Sequence, residues 1–205
     1  EYRRCSINYL QRVVEITKDL KKYFKGADKT LIVVSLGGFS RDGFCNPGER
    51  AKMYERVADS LAQIDQEGVE IIAQTMPPYP WYLGGQSYAN LFVDPKETAD
   101  FCARSKIRLC LDVSHSMLAC NYYGWSFKEF IDCIKPYIAH LHIADAKGVD
   151  QEGLQIGEGD TNFKSLAIQL KKVAPKASFI PEIWQGHENN GEGFWIGLDR
   201  LRKWF

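Results

Sequence analysis

Five short apolar, β-rich runs constrain this chain more than any other feature: TLIVVSL (30–36), VEIIAQTM (69–76), IRLCLDV (107–113), AHLHIAD (139–145) and ASFIPEI (177–183). Each is nearly continuous in hydrophobic residues, the pattern of a parallel strand covered on both faces rather than of a half-exposed antiparallel one. The intervals between them hold helical patterns. Residues 6–24 carry Ile7, Leu10, Val13, Val14 and Leu20 at helical spacing. Pro47 opens a second helix with Met53, Val57, Leu61 and Ile64 on one face, Pro95 a third, Ser126 caps a fourth and Asn162 a fifth. The final stretch, GFWIGLDRLRKWF, reads as a closing helix.

Strand–helix alternation leaves two architectures, an open doubly wound sheet or a βα barrel. An open nucleotide-binding sheet wants a glycine-rich fingerprint after its first strand, but Gly37 and Gly38 are followed by FSRDGF. Polar residues sit instead at the C-terminal ends of several strands: Gln74, Asp112, His142 with Asp145, and Glu182. Convergence of side chains from many strand ends is how barrel enzymes build their sites. A complete barrel has eight strands and about 250 residues, whereas 205 residues here hold five strands. The expectation is an α/β chain forming the C-terminal portion of a (β/α)8 TIM barrel, one domain over 1–205, with N-terminal βα units missing. Its open edges would be covered by the rest of a longer chain or by another copy.

Charge narrows the partners. With 26 basic and 26 acidic residues, the chain lacks the long-range attraction to phosphate backbones on which nucleic-acid binding depends. No apolar segment approaches the roughly 20 residues needed to span a bilayer, and no basic stripe suits a membrane surface. The six cysteines form no CxxC pair and read as small hydrophobes of a reduced, cytoplasmic protein.

The strand-end residues carry the chemistry. Asp112, His142 and Glu182 supply an imidazole and two carboxylates from three successive strands, with Gln74 offering a neutral amide oxygen. This mixed oxygen and nitrogen set suits one divalent ion such as Mn²⁺, Co²⁺, Mg²⁺ or Zn²⁺. His115 and Asp145 are near enough in sequence to act as further ligands or as partners of the ligands. Taken singly, a strand-end His is more often a hydrogen-bonded structural residue and a strand-end Asp a helix cap. It is the recurrence at successive strand ends that points to a site.

DVSH, HLHIADAKG, IGEGDTNF and the PE pair of FIPEIW together resemble the xylose-isomerase-like barrel superfamily, the group of sugar phosphate isomerases, epimerases and apurinic endonucleases. The resemblance covers the last five of that family's strands. It implies a metal held by Glu, Asp, His and Glu, which fall here on Gln74, Asp112, His142 and Glu182. The first departs from the pattern: where the family typically has a glutamate before a proline, this chain reads AQTMPP.

In the family's epimerases two glutamates move a proton on opposite faces of the sugar through an enediolate. Glutamine has no basic lone pair near neutral pH, so Gln74 can ligate but cannot act as a base. Glu182 is left as the base, an arrangement suited to aldose–ketose isomerisation. Epimerisation needs a second group, with His115, Asp145, Lys147 and Glu158 as candidates. The metal would polarise the carbonyl as a Lewis acid.

The resemblance thus implies a metal-dependent isomerase or epimerase acting on a small-molecule sugar or sugar phosphate. The alternatives are a degenerate sugar-binding or partner module, or a polyol dehydratase or lyase. A homo-oligomer, or fusion to a carbohydrate-biosynthesis enzyme, is a further implied arrangement. The DNA-repair branch is disfavoured, because VVSLGG carries no histidine and VDQEGLQIGEG carries no D-x-H pair. Loop residues supply substrate-contact candidates. Glu158 sits in a glycine-rich loop, either solvated or closing over hydroxyls. Trp81 lies among Tyr79, Tyr82 and Tyr88, aromatics suited to sugar stacking or to loop packing. His187 leads Glu188, Asn189 and Asn190 after the last strand.

Overall fold

The computed structural model describes residues 1–23, 29–82 and 85–205, with the side chains of residues 81–86 also outside the description. In chain order the elements are α1 (Tyr2–Leu20), β1 (Thr30–Val34), α2 (Pro47–Leu61), β2 (Val69–Gln74), β3 (Trp81–Tyr82), β4 (Gly85–Gln86), α3 (Pro95–Ser105), β5 (Leu109–Asp112), α4 (Val113–Tyr123), α5 (Phe127–Ile134), β6 (Ile138–Ile143), β7 (Asp145–Lys147), β8 (Gln151–Leu154), α6 (Phe163–Val173), β9 (Ser178–Pro181) and α7 (Glu188–Leu201). The five apolar runs are the five strands of one parallel sheet, ordered β1-β2-β5-β6-β9. The sheet curls into a half-barrel. Two antiparallel hairpins, β3–β4 and β7–β8, stand on the loops after β2 and β6.

The expected caps hold the helix starts. Asn46 and Glu49 form a reciprocal capping box ahead of Pro47, Asp94 accepts from the amides of Lys96 and Glu97, and Ser126 and Asn162 cap α5 and α6. The first helix begins earlier than the 6–24 expected, at Tyr2, and residue 24 lies outside the described residues. Of its apolar stripe, Val14 is buried and Ile7 and Leu10 pack beside it, while Val13 and Leu20 remain exposed. One helix has no counterpart in the sequence reading. The segment from Val113 to Tyr123 follows β5 without a loop and buries Val113, Ser114, Ser116, Met117, Leu118, Ala119 and Cys120 on all sides. A helix buried all round shows no amphipathic period.

Alternation along each strand divides the sheet into two faces. The convex face meets the helices. Leu109, Leu111, Leu141 and Ile143 join a large core with Tyr54, Phe92, Phe101, Phe130 and Phe163. Within it the rings of Tyr54, Phe92 and Phe101 meet one another at centroid distances of 5.1–5.4 Å. On the concave face Ile72 and Cys110 pack with Leu31, Val33 and Ala139, the residue that the register shift at the start of β6 leaves unpaired with β5. Continuing the same alternation two residues along puts Gln74 after Ile72 and Asp112 after Cys110, and the register pairs Asp112 with His142. The polar strand ends are therefore the last positions of the concave stripe.

The long connection after β6 is held from inside by Asp145. Its side chain is fully buried and accepts four backbone N–H groups, from Ala146 and Thr161 on Oδ1 and from Gly157 and Gly159 on Oδ2, at 2.7–3.1 Å. Gly159 is pressed so closely on the Ala146 carbonyl that a Cβ there would overlap it. Replacing Asp145 by Ala leaves these amides without their acceptor, at about 1–3 kcal/mol for each buried donor that water does not reach. We expect Asp145→Ala to lower the melting temperature by roughly 5–10 °C. Differential scanning calorimetry checks this, and an unchanged melting temperature would show that the loop is held by other means.

Candidate active site

A network of side chains runs around the concave rim at the C-terminal strand ends. Ser35, just past β1, donates its hydroxyl to Gln74 Oε1 at 3.1 Å, and Gln74 Nε2 donates to Asp112 Oδ2 at 2.7 Å. His142 Nδ1 stands 2.6 Å from Glu182 Oε2 and 3.7 Å from Asp112 Oδ2. Asp112, His142 and Glu182 each present a ligand atom, all within 4.8 Å of one another. These come from three successive strands, so the sequence-expected convergence of the three is what the fold produces.

Asp112 is fixed on every side. It is the N-cap of α4, its Oδ1 accepting from the His115 amide at 2.9 Å, and its own amide donates to Thr75 Oγ1 at 2.9 Å. Burial works against its ionisation. Even so, charge on His115, the nearby His142 imidazole and the bond from the His115 amide hold the carboxyl below the usual range. For His142 burial again opposes the charged form, but the neighbouring Asp112, Cys110 and Glu182 push it up to about 12. Two carboxylates thus stabilise positive charge at the point on which the three ligand atoms converge. That electrostatic preference and the hard-oxygen-plus-imidazole donor set fit a divalent ion, which would displace the proton shared by His142 and Glu182.

Gln74 has a more specific placement than a neutral ligand. A carboxylate can only accept, and a hydroxyl can donate to an amide oxygen, so the network orients the Gln74 amide with nitrogen toward Asp112 and oxygen toward Ser35. Its oxygen reaches the ligand cluster only after an amide flip. A second cluster, Cys110, His140 and His142, lies one layer deeper and shares His142. There His140 bonds Ser178 at 2.7 Å.

Above the rim is a cavity of about 350 Å³, lined among others by Asp112, His115, Glu152, Glu182, Trp184 and His187. That volume is within the range of small-molecule sites. Of the substrate-contact candidates, His187 borders the cavity. Asp145 is occupied by the loop amides, Lys147 is solvent-exposed, and Glu158 pairs with Arg200 at 2.8 Å. The Trp81 and Tyr82 side chains lie outside the described residues. Tyr79 and Tyr88 pack against Phe44, and Tyr79 also against Tyr122, so these rings brace the loops to one another.

Glu152 also borders the cavity, and the sequence reading did not single it out. It stands on β8, with its side chain 25% exposed and its Oε2 3.6 Å from His115 Nε2. Burial pushes its carboxyl up, His115 pulls it down, and the charges of Asp112 and Glu182 push it up again. The single available signal was an acidic residue in a short segment between two glycine-containing turns, which is common on any surface.

A sequence model of the xylose isomerase-like TIM barrel matches residues 1–204. Two relatives from Methanocaldococcus jannaschii are both uncharacterized proteins. MJ1614 is 33% identical over 129 residues, covering 58% of this chain and 45% of its own length. MJ1311 is 26% identical over 120 residues, covering 58% and 39%. The chain therefore spans less than half the length of these relatives. Among solved structures, a D-tagatose 3-epimerase-like protein superposes with a TM-score of 0.67 at 18% identity, over 98% of this chain and 71% of the other. A 3-keto-D-glucoside 4-epimerase from E. coli gives 0.63 at 16%, over 96% and 70%. Likeness at such identities speaks for the fold, and the match over residues 1–204 speaks for descent: the chain belongs to the xylose isomerase-like TIM barrel family.

Proposed function

We propose that this chain is a divalent-metal-dependent isomerase or epimerase of a sugar or sugar derivative, working through an enediolate. The observation that carries the proposal is the convergence of Asp112, His142 and Glu182 from three successive strand ends beneath an open cavity. Family membership supports it, as does the likeness to a D-tagatose 3-epimerase-like protein and a 3-keto-D-glucoside 4-epimerase. Asp112, His142 and Glu182 would hold the ion, with Gln74 as a fourth donor after its amide flips. Bound there, the ion would supply Lewis-acid polarisation of the substrate carbonyl.

The residues divide the remaining work. Glu182 is half exposed and lines the cavity, so besides holding the ion it is the carboxylate that can reach a substrate C–H and act as the base that removes the proton beside the carbonyl. Asp112 is locked into the helix cap and keeps His142 oriented. Trp184 and His187 stand at the cavity wall where a polyol chain would lie. A second reading, a sugar-binding module without turnover, is favoured by the Gln74 amide itself. Its nitrogen donates a hydrogen bond to Asp112 where the family pattern has a carboxylate.

Metal analysis of the purified protein by inductively coupled plasma mass spectrometry tests the ligand set. Asp112→Ala and His142→Ala should each reduce bound divalent metal to background, and unchanged content in both would overturn the assignment. Glu182→Gln should lower turnover by roughly 100-fold or more. Gln74→Glu discriminates the second reading. The new carboxylate would lie close to Asp112, where Gln74 Nε2 now stands 2.7 Å from Oδ2. We expect the metal-free variant to melt below the wild type and to bind metal more tightly. Turnover that appears only in Gln74→Glu would establish the binding-module reading, whereas a fully active wild type would reject it.

A further inference from the structure

We propose that Cys110, His140 and His142 form a second metal site, suited to a thiophilic ion of the Zn²⁺ kind, and that an ion bound there takes His142 away from the Asp112–His142–Glu182 set. The site stands on its own geometry. Its rivalry with the first set rests on the ligands proposed above.

A register shift creates the cluster. At the start of β6, Ile138 pairs with Leu109 of β5 and packs into the convex core. Plain alternation from Ile138 would turn residues 140 and 142 to that same side, among the helices. The pairing instead slips by one residue, so that Cys110 comes opposite His140 and Asp112 opposite His142. A slip of one residue moves every later side chain to the other face of the sheet. Ala139 absorbs it, and both imidazoles emerge on the concave face beside Cys110. Their rings stand at 85° to each other with centroids 5.3 Å apart. The slip that brings His142 to the rim therefore also brings His140 to the layer beneath it.

The donor set chooses the ion. Cys110, His140 and His142 each offer one ligand atom, all within 4.8 Å of one another. A thiolate with two imidazoles and no carboxylate suits Zn²⁺ far better than Mn²⁺ or Mg²⁺. Cys110 is 0% exposed and packs among Ile72, Leu31, Val33 and Ala139, an apolar shell that keeps water from competing for the sulfur. A ligating imidazole usually donates its second ring N–H to an oxygen that fixes its orientation, and Ser178 Oγ stands 2.7 Å from His140 Nδ1. His140 is the partly exposed member of the three, which gives an ion its way in. On binding, the Cys110 thiol proton leaves to solvent and a sulfur lone pair forms the bond to the ion.

The shared imidazole makes the two sets alternatives. A neutral imidazole has a lone pair on one ring nitrogen and a hydrogen on the other. His142 can therefore ligate one ion at a time. An oxygen-preferring ion draws it toward Asp112 and Glu182, and a thiophilic ion draws it toward Cys110 and His140. The deeper set is thus a trap through which a thiophilic ion empties the upper one.

Co²⁺ added to the purified, reduced protein tests the site. The wild type should show near-ultraviolet thiolate-to-cobalt charge-transfer absorption, which an oxygen and imidazole set does not give. Cys110→Ser and Cys110→Ala should abolish it. Cys5→Ser, at the exposed cysteine, should leave it intact, as should Glu182→Gln. Ser178→Ala should weaken Co²⁺ binding by the roughly 10–100-fold typical of losing a ligand's outer partner, and His140→Gln by more than that. His140→Gln keeps the thiol and so decides the matter even if the Cys110 variants do not fold. Competition is read by electron paramagnetic resonance of Mn²⁺. Cd²⁺ should release bound Mn²⁺ from the wild type at a concentration roughly 10-fold or more below that needed for Cys110→Ser. No charge-transfer absorption in the wild type overturns the site. So does absorption that survives both Cys110 changes, or undiminished Co²⁺ affinity in His140→Gln. Equal Cd²⁺ midpoints in wild type and Cys110→Ser overturn the competition. Charge-transfer absorption in a wild type that binds no Mn²⁺ would fail the metal-dependent function proposed above, and the competition with it, while upholding the thiolate site.

Discussion

The rest of the site depends on a buried carboxylate that is never left alone. Asp112 is 2% exposed, and an isolated ionised carboxylate at such a position would be too costly to keep. The chain offsets that cost by giving its oxygens separate duties. One oxygen starts a helix and the other receives an amide from the neighbouring strand, with two imidazoles close by. Because α4 begins on the residue that ends β5, the strand end, the helix start and the floor of the cavity are one point in space. A change at that point would be felt by all three.

The same network explains what a glutamine does in a place where the family pattern has an acid. A carboxylate at 74 would face Asp112 at hydrogen-bonding distance and would need a cation between them. The amide removes that need by donating to Asp112 and accepting from Ser35. The local structure can therefore form around the strand ends with a proton on His142 in the role of the positive charge. What is surrendered is a base on that wall.

Much of this was legible in the sequence, for identifiable reasons. The strands were visible because parallel strands covered on both faces are continuous apolar runs. The starts of α2, α3, α5 and α6 were visible because Pro47, Pro95, Ser126 and Asn162 carry local chemistry that does not depend on the fold. Asp112, His142 and Glu182 stood out because each ends such a run. Helix α4 was hidden by burial on every side, which erases the period that reveals a helix. Glu152 was hidden for another reason. Its place is set by contacts from Ser114 and Trp184 to Gly153, both more than thirty residues away in the chain, and no local pattern encodes them.

Asp145 gathers four amides from both ends of the loop that follows β6, so the β7–β8 hairpin closes on a fixed base. Between Lys147 and Gln155 the chain is tied to that base by its ends. Insertions and deletions at the hairpin tip would leave the latch, and the ligand residues beneath it, undisturbed. The hairpin can therefore change in length without moving the strand ends beneath it.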